Sequence, residues 1–159
     1  RLEPLRFQRD FPRVSVDVGS GVELFVAHLK SLRSYAWMRH TAGTVRNAEA
    51  RAAARLIRRH LHKPCLVMGD FNASLRDPTL EPLLGNPELW DPVAAELEPS
   101  GVLIPSYRCG THSNRIDFAL LGPQAKQRYV AGSARVHSGE QAELASDHYP
   151  LSVDLLCDG

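Results

Sequence analysis

The sequence predicts an α/β domain in which a mixed sheet is covered by helices on both sides, and three observations predict it. Short segments that are apolar on both faces recur along the chain, residues 22–29 (VELFVAHL) and 65–68 (CLVM) above all. One long helical stretch lies between those two. The chain has 159 residues, 43% of them hydrophobic and 23% charged, which suits one folded domain and excludes a disordered tail.

Taken in order, residues 14–18 (VSVDV) alternate apolar and polar and read as a strand. Gly19-Ser20-Gly21 supplies turn chemistry, so residues 22–29 form a second strand that pairs with the first. Residues 31–40 are a basic and aromatic loop. A helix follows, from about Thr41 or Thr44 to His62. Ala48, Ala52 and Leu56, with Ala53, Ile57 and Leu61, lie at helical spacing and form its apolar stripe. Arg46, Arg51, Arg55, Arg58 and Arg59 lie mostly off that stripe, and Pro64 prevents continuation. Residues 65–68 are a short buried strand that ends in Gly69-Asp70. Residues 73–101 carry several prolines and glycines and form short helices and loops. Strands are expected at 116–121, at 129–136 and at about 151–156, with no repeat, low-complexity block or internal linker.

Charge and cysteine content narrow the function classes. Nineteen Lys/Arg face eighteen Asp/Glu, and a net charge of +1 argues against strong non-specific nucleic-acid binding, though not against a local basic groove. No stretch approaches the ~20 apolar residues needed to cross a bilayer. The N-terminal residues contain no apolar run of signal-peptide type and no initiating Met, so an upstream segment is expected. Cys65, Cys109 and Cys157 are too far apart for a zinc pattern. Cys65 is expected in the core, and a Cys109–Cys157 disulfide is disfavoured, with a reducing, cytoplasmic compartment as the default.

Four short motifs carry candidate chemistry. In residues 66–72 (LVMGDFN) a buried strand delivers a carboxylate, Asp70, and an amide, Asn72, two positions later. Continued extended backbone would put both on one side. Such a pair suits a hydrated Mg²⁺ and a phosphate, but a pair that merely caps a turn would look the same. Gly69 permits a close backbone approach or an unusual turn. In residues 146–150 (SDHYP), Asp147 suits a metal and His148 suits a proton or a phosphate. The plain alternative is a solvated loop before an edge strand. In residues 114–118 (NRIDF), Asp117 interrupts an apolar strand and must meet a His, an Arg or backbone donors. His28 is the inward-facing polar member of its strand, where a satisfied core histidine is the commoner case.

Together, HLKS (28–31), GDFN (69–72), RIDF (115–118) and SDHYP (146–150), with RNAEA (46–50) between the first two, resemble the endonuclease/exonuclease/phosphatase superfamily. That group includes DNase I-like nucleases, exonuclease III-like abasic-site endonucleases, inositol polyphosphate phosphatases and neutral sphingomyelinases. The resemblance covers nearly the whole chain from Val14 and is specific for the superfamily, not for a substrate. It implies a DNase I-like sandwich of two mixed sheets flanked by helices, of which this chain holds the C-terminal part. By position it implies that Asp70 orients or deprotonates the attacking water and that Asn72 binds the scissile phosphate and helps hold the site. It further implies that Asp117 holds the tautomer of His148 and that His28 is a second phosphate-side histidine. Asp147 would belong to a Mg²⁺ or Mn²⁺ site, with Asp70 and Asn72 as further contributors.

The family's first half supplies an Asn and a metal-binding Glu, and neither motif occurs here. Glu3 has no comparable context. The chain is therefore expected to hold half a site, to be inactive alone, and to expose apolar sheet surface that drives self-association. In the complete protein the expected activity is Mg²⁺-dependent hydrolysis of phosphodiester or phosphomonoester bonds, most simply as a nuclease. The alternatives are a phospholipid or inositol-phosphate hydrolase and a catalytically silent binding or scaffold domain. Arg33, Tyr35, Trp37, Arg39 and His40 alternate bases and aromatics, which suits gripping phosphates and stacking on bases, but equally suits a loop anchored on the core by Tyr35 and Trp37.

Overall fold

A computed structural model describes residues 7–32 and 40–157. The segment containing Arg33, Tyr35, Trp37 and Arg39, and also Glu3, lie outside the described residues. Strands β1 (Arg13–Val16), β2 (Val22–His28), β3 (Cys65–Asp70) and β6 (Asp117–Leu121) form a four-stranded sheet in the order β1-β2-β3-β6. β1 pairs with β2 antiparallel, β2 with β3 parallel, and β3 with β6 antiparallel, so the sheet is mixed as expected. Helix α1 (Ala42–Arg58) is the crossover between the parallel pair. Two short two-stranded ribbons complete the strands: β4 (Tyr107–Cys109) with β5 (His112–Asn114), and β7 (Arg135–Val136) with β8 (Leu151–Ser152). Short helices α2 (Glu81–Leu84), α3 (Pro92–Glu96), α4 (Pro123–Gln127) and α5 (Glu140–Ala145) occupy the connections.

Period-two alternation gives the sheet two different faces. On one face, Phe25, Ala27, Cys65, Val67, Phe118 and Leu120 bury against Ala50, Ala53 and Ile57 of α1. Cys65 lies in this core as expected, and burial pushes its thiol up to about 11. Cys109 and Cys157 are free and exposed. The opposite face is covered only in part. Leu66 and Leu121 pack with Ala125, Trp90 and Tyr129, whereas Val14, Val16 and Val26 stand exposed. Cover on both sides is thus incomplete among the described residues.

Helix α1 begins at an N-cap, Thr41, whose hydroxyl accepts from the Thr44 amide at 3.2 Å. Its buried stripe is rotated from the expected one. The buried positions are Ala42, Val45, Arg46, Glu49, Ala50, Ala53 and Ile57, while Leu56 is exposed. Two charged residues therefore occupy the inner face, because both find partners there.

Two expected strands are much shorter. Of 129–136 only Arg135–Val136 is strand; the chain turns at Gly132 (φ 76°), and the Tyr129 hydroxyl accepts the Ala134 amide at 2.9 Å. Of 151–156 only Leu151–Ser152 is strand. Beyond it the Asp154 amide is taken by the Ser133 hydroxyl at 3.0 Å, a side chain replacing a ladder partner.

Gly69 is the close approach that the sequence suggests. Its φ is 132°, and a Cβ there would sit 2.1 Å from the Ala27 carbonyl oxygen of β2. Only glycine lets β3 lie against β2 at the position before Asp70.

Candidate active site

The sheet register assembles the site. His28, Asp70 and Asp117 are paired across β2, β3 and β6, so three strand ends place them in one row. They lie on the partly covered face. His28 is exposed rather than inward-facing, since it stands on the same side of β2 as Leu24 and Val26 and not on the side of Phe25 and Ala27. Its Nε2 stands 3.6 Å from Asp70 Oδ2.

Asp70 and Asn72 do come together, but not by extended alternation. Asn72 adopts φ 53°, a left-handed conformation that Asn tolerates better than most residues. The turn brings its amide nitrogen to Asp70 Oδ1 at 2.7 Å and its Nδ2 to Asp70 Oδ2 at 2.8 Å. Nδ2 also donates to the Leu29 carbonyl oxygen at 2.9 Å. A carbonyl only accepts, so this bond fixes which end of the side-chain amide is nitrogen. Both Nδ2 hydrogens are used inside the protein, and the amide oxygen is what Asn72 has left for a ligand. Burial raises the Asp70 carboxyl, and the neighbouring Asp117 pushes it the same way; the Asn72 amide, His148 and His28 oppose them without cancelling the rise.

Asp117 accepts from two side chains through one oxygen. Its Oδ2 lies 2.9 Å from His148 Nδ1 and 2.7 Å from the Ser106 hydroxyl. The Tyr107 ring packs beside His148 with centroids 5.0 Å apart. With Nδ1 held by a carboxylate and a ring at its side, His148 keeps Nε2 for a ligand. Asp147 precedes it, and its carbonyl oxygen accepts from the Arg108 amide at 2.8 Å. Asn72, Asp147 and His148 line an open cleft of about 530 Å³ that also runs over Ser74, His112 and Asn114. Asp70, Asn72, Asp117 and His148 thus form one connected cluster, with His28 beside it and Asp147 at the cleft wall.

Arg46 lies off the apolar stripe read from the sequence, yet it is buried behind this cluster. Its Nη1 donates to the carbonyl oxygens of Lys30, at 3.0 Å, and Asn72, at 3.1 Å. Its Nε donates to the Thr79 hydroxyl at 2.8 Å and its Nη2 to Asp77 Oδ2 at 2.9 Å. Glu49, one turn on, accepts from the Lys30 amide at 2.7 Å. Helix α1 thereby clamps both loops that leave the site strands. The available signal was phase: Arg46 and Glu49 share the face of Ala42, Val45, Ala50 and Ala53.

Burial alone would raise the Asp77 carboxyl, but the hydrogen bonds from Thr79 and the Arg46 guanidinium outweigh it and hold it low. A depressed carboxyl contributes stability that is present above its unfolded value and is lost as pH falls through its folded one. We expect Asp77→Asn to flatten the fall of melting temperature below about pH 4. A variant curve parallel to the parent's would contradict this.

A divalent ion needs several oxygen donors. Among the described residues no three His, Cys, Asp or Glu side chains are disposed to hold a metal. Both Asp70 oxygens already accept from Asn72. Asp147 and the Asn72 amide oxygen are the candidate donors, and together they do not make a complete site.

The Endonuclease/Exonuclease/phosphatase family model matches residues 7–148. Among curated proteins there is no match. A 3′ phosphatase from Neisseria, NExo, bound to a product DNA hairpin is similar in fold, with TM-score 0.64 and 17% identity, covering 90% of this chain and 64% of that one. An endonuclease/exonuclease/phosphatase from Bacteroides vulgatus gives 0.55 and 17%, covering 87% and 50%. A mannosyl-6-phosphatase from Bacteroides thetaiotaomicron gives 0.52 and 18%, covering 88% and 53%. The chain spans about half to two thirds of the length of these structures.

Proposed function

The chain belongs to the endonuclease/exonuclease/phosphatase family, and from that premise we infer that the cluster at Asp70 and His148 hydrolyses phosphate esters in the complete protein. The observation that carries the reading is the bond from His148 Nδ1 to Asp117 Oδ2 at 2.9 Å, one strand away from an Asp70 whose carboxyl is raised. A carboxylate brought closer to neutral pH accepts a proton from water more effectively than an ordinary one. Asp70 takes that proton as the water oxygen attacks phosphorus. His148, oriented through Nδ1, uses Nε2 to contact the phosphoryl oxygen or to donate a proton to the departing one. Asn72 holds both oxygens of Asp70, which leaves its amide oxygen for a ligand. His28 adds a second imidazole on the phosphate side.

Mg²⁺ or Mn²⁺ would neutralise charge on the phosphate when bound, with Asp147 and the Asn72 amide oxygen as donors from this chain. The exposed Val14, Val16 and Val26 favour self-association. Nucleic acid is the favoured substrate, with support from the DNA hairpin in the Neisseria neighbour. The mannosyl-6-phosphatase keeps a small phosphomonoester as the alternative. Among the described residues the donor set is incomplete, which favours one rival, a silent binding domain.

The experiment is a panel of DNA, RNA, inositol phosphates, sugar phosphates and sphingomyelin, incubated with the intact protein and Mg²⁺. Hydrolysis of at least one member, lost with a chelator and restored by Mg²⁺ or Mn²⁺, is the expected result. Activity indifferent to chelation would refute the metal requirement, and no hydrolysis at all would favour the silent domain.

A further inference from the structure

We propose that Ser106 is a positioning residue that holds the Asp117–His148 pair in its working geometry; in its catalytic consequence this rests on the phosphoesterase reading above. Ser106 is fully buried and belongs to none of the motifs that mark the site. Its hydroxyl accepts from the Ile116 amide at 3.1 Å and the Asp117 amide at 2.9 Å. A serine hydroxyl has two acceptor lone pairs and one proton. With both lone pairs taken by N–H donors, the proton has one direction left, to Asp117 Oδ2 at 2.7 Å. The same Oδ2 meets His148 Nδ1 at 2.9 Å. Ser106 therefore decides where the oxygen that orients His148 sits.

The backbone of Ser106 makes the same junction. Its carbonyl oxygen accepts from the Tyr149 amide at 2.7 Å, next to His148. Its amide donates to the Asn114 carbonyl oxygen at 3.1 Å. One buried residue thus joins the His148 loop, the β4–β5 ribbon and the first residue of β6. A serine that only ended β6 would need the two bonds from Ile116 and Asp117 N–H groups. The third bond, to the carboxylate, is the one that reaches the histidine.

The test compares Ser106→Ala with the parent in the intact protein, using bis(p-nitrophenyl) phosphate and Mg²⁺. We expect kcat to fall roughly 10–100-fold, the size seen when a partner that orients a reacting group is removed, with KM nearly unchanged. In an Asp117→Ala background the same change should cost less than about twofold, because coupled residues are not additive. Ser106→Thr, which keeps the hydroxyl, should recover most of the loss. Parent-like kcat in folded Ser106→Ala, or an equal loss in both backgrounds, would overturn the proposal. A second readout is independent of turnover: the His148 Nδ1–H proton resonance, identified by its absence in His148→Ala, should vanish in Ser106→Ala. If the parent hydrolyses neither this diester nor any member of the substrate panel, the phosphoesterase reading fails, and this resonance alone decides the positioning claim, its persistence overturning it. If Ser106→Ala does not fold, Ser106→Cys replaces it, and failure of both to fold means a purely structural role and overturns the proposal.

Discussion

His148→Ala in the intact protein is expected to lower kcat about 10²–10⁴-fold, the usual contribution of a positioned acid–base group, while leaving the melting temperature close to the parent's. The activity side follows from the ring's placement: Nδ1 is bound to Asp117, so Nε2 is the atom available to substrate. The stability side follows from its surroundings, since the ring is partly exposed and contributes little to the apolar core. Asp117→Ala should approach the same activity, because a histidine without its carboxylate loses both orientation and tautomer. A His148→Ala protein that turns over at the parent rate would remove this residue from the mechanism. A large fall in melting temperature would instead make it structural.

The largest expected effect on stability lies next door. Arg115 is fully buried; its Nη1 meets Asp91 Oδ2 at 2.7 Å, and its Nη2 meets Glu98 Oε2 at 2.9 Å. The guanidinium also lies 4.6 Å from the centre of the Phe118 ring. Its two partners fix a separate piece of chain each. Asp91 caps α3 by accepting from the Ala94 amide at 3.1 Å, and Glu98 accepts from the Ile104 amide at 2.7 Å. Removing one member of a buried charge group strands the others, and such losses run to about 3–5 kcal/mol. We therefore expect Arg115→Ala to lose roughly this much stability in urea unfolding and to lose activity only through unfolding. A shift under about 1 kcal/mol would mean that Asp91 and Glu98 find other partners or water, as exposed charges do.

What the sequence makes legible, and what it hides, divides by the range of the forces involved. The helix before β3 and the strands at 22–29 and 65–68 follow from local periodicity and from Pro64, and the structure has them within a few residues. The convergence of His28, Asp70, Asp117 and His148 was legible only because four motifs resemble one family; no local rule reports that strand ends will be in register. The burial of Arg46 and Glu49 was not read from the sequence, because it depends on carbonyl and amide groups of Lys30 and Asn72 distant in sequence. Ser106 gave no signal at all, since one serine after a proline is ordinary until its three hydroxyl bonds to Ile116 and Asp117 are known. The overlong strands at 129–136 and 151–156 failed because single side chains, the Tyr129 and Ser133 hydroxyls, took backbone amides that strand pairing would otherwise have used. Asp70 and Asn72 meet through a turn in which Asp70 accepts the Asn72 amide, the alternative left open by the sequence, and not through the extended backbone that would put them on one side.

The most direct test of the central claim is the rate of Asp70→Asn against the parent in the intact protein, on whichever substrate of the panel is hydrolysed, with a melting curve on the same samples. Asn keeps the size of the side chain but cannot accept a proton from water. Burial and Asp117 already raise the carboxyl that it replaces, so the folded state binds that proton more tightly than the unfolded chain does. The carboxyl's cost to stability therefore grows as pH rises from the ordinary value near 4 and is present at neutral pH, where Asn removes it. The account predicts a loss of about 10²–10⁴-fold in kcat with no loss of fold at neutral pH. Hydrolysis by folded Asp70→Asn at the parent rate would contradict it.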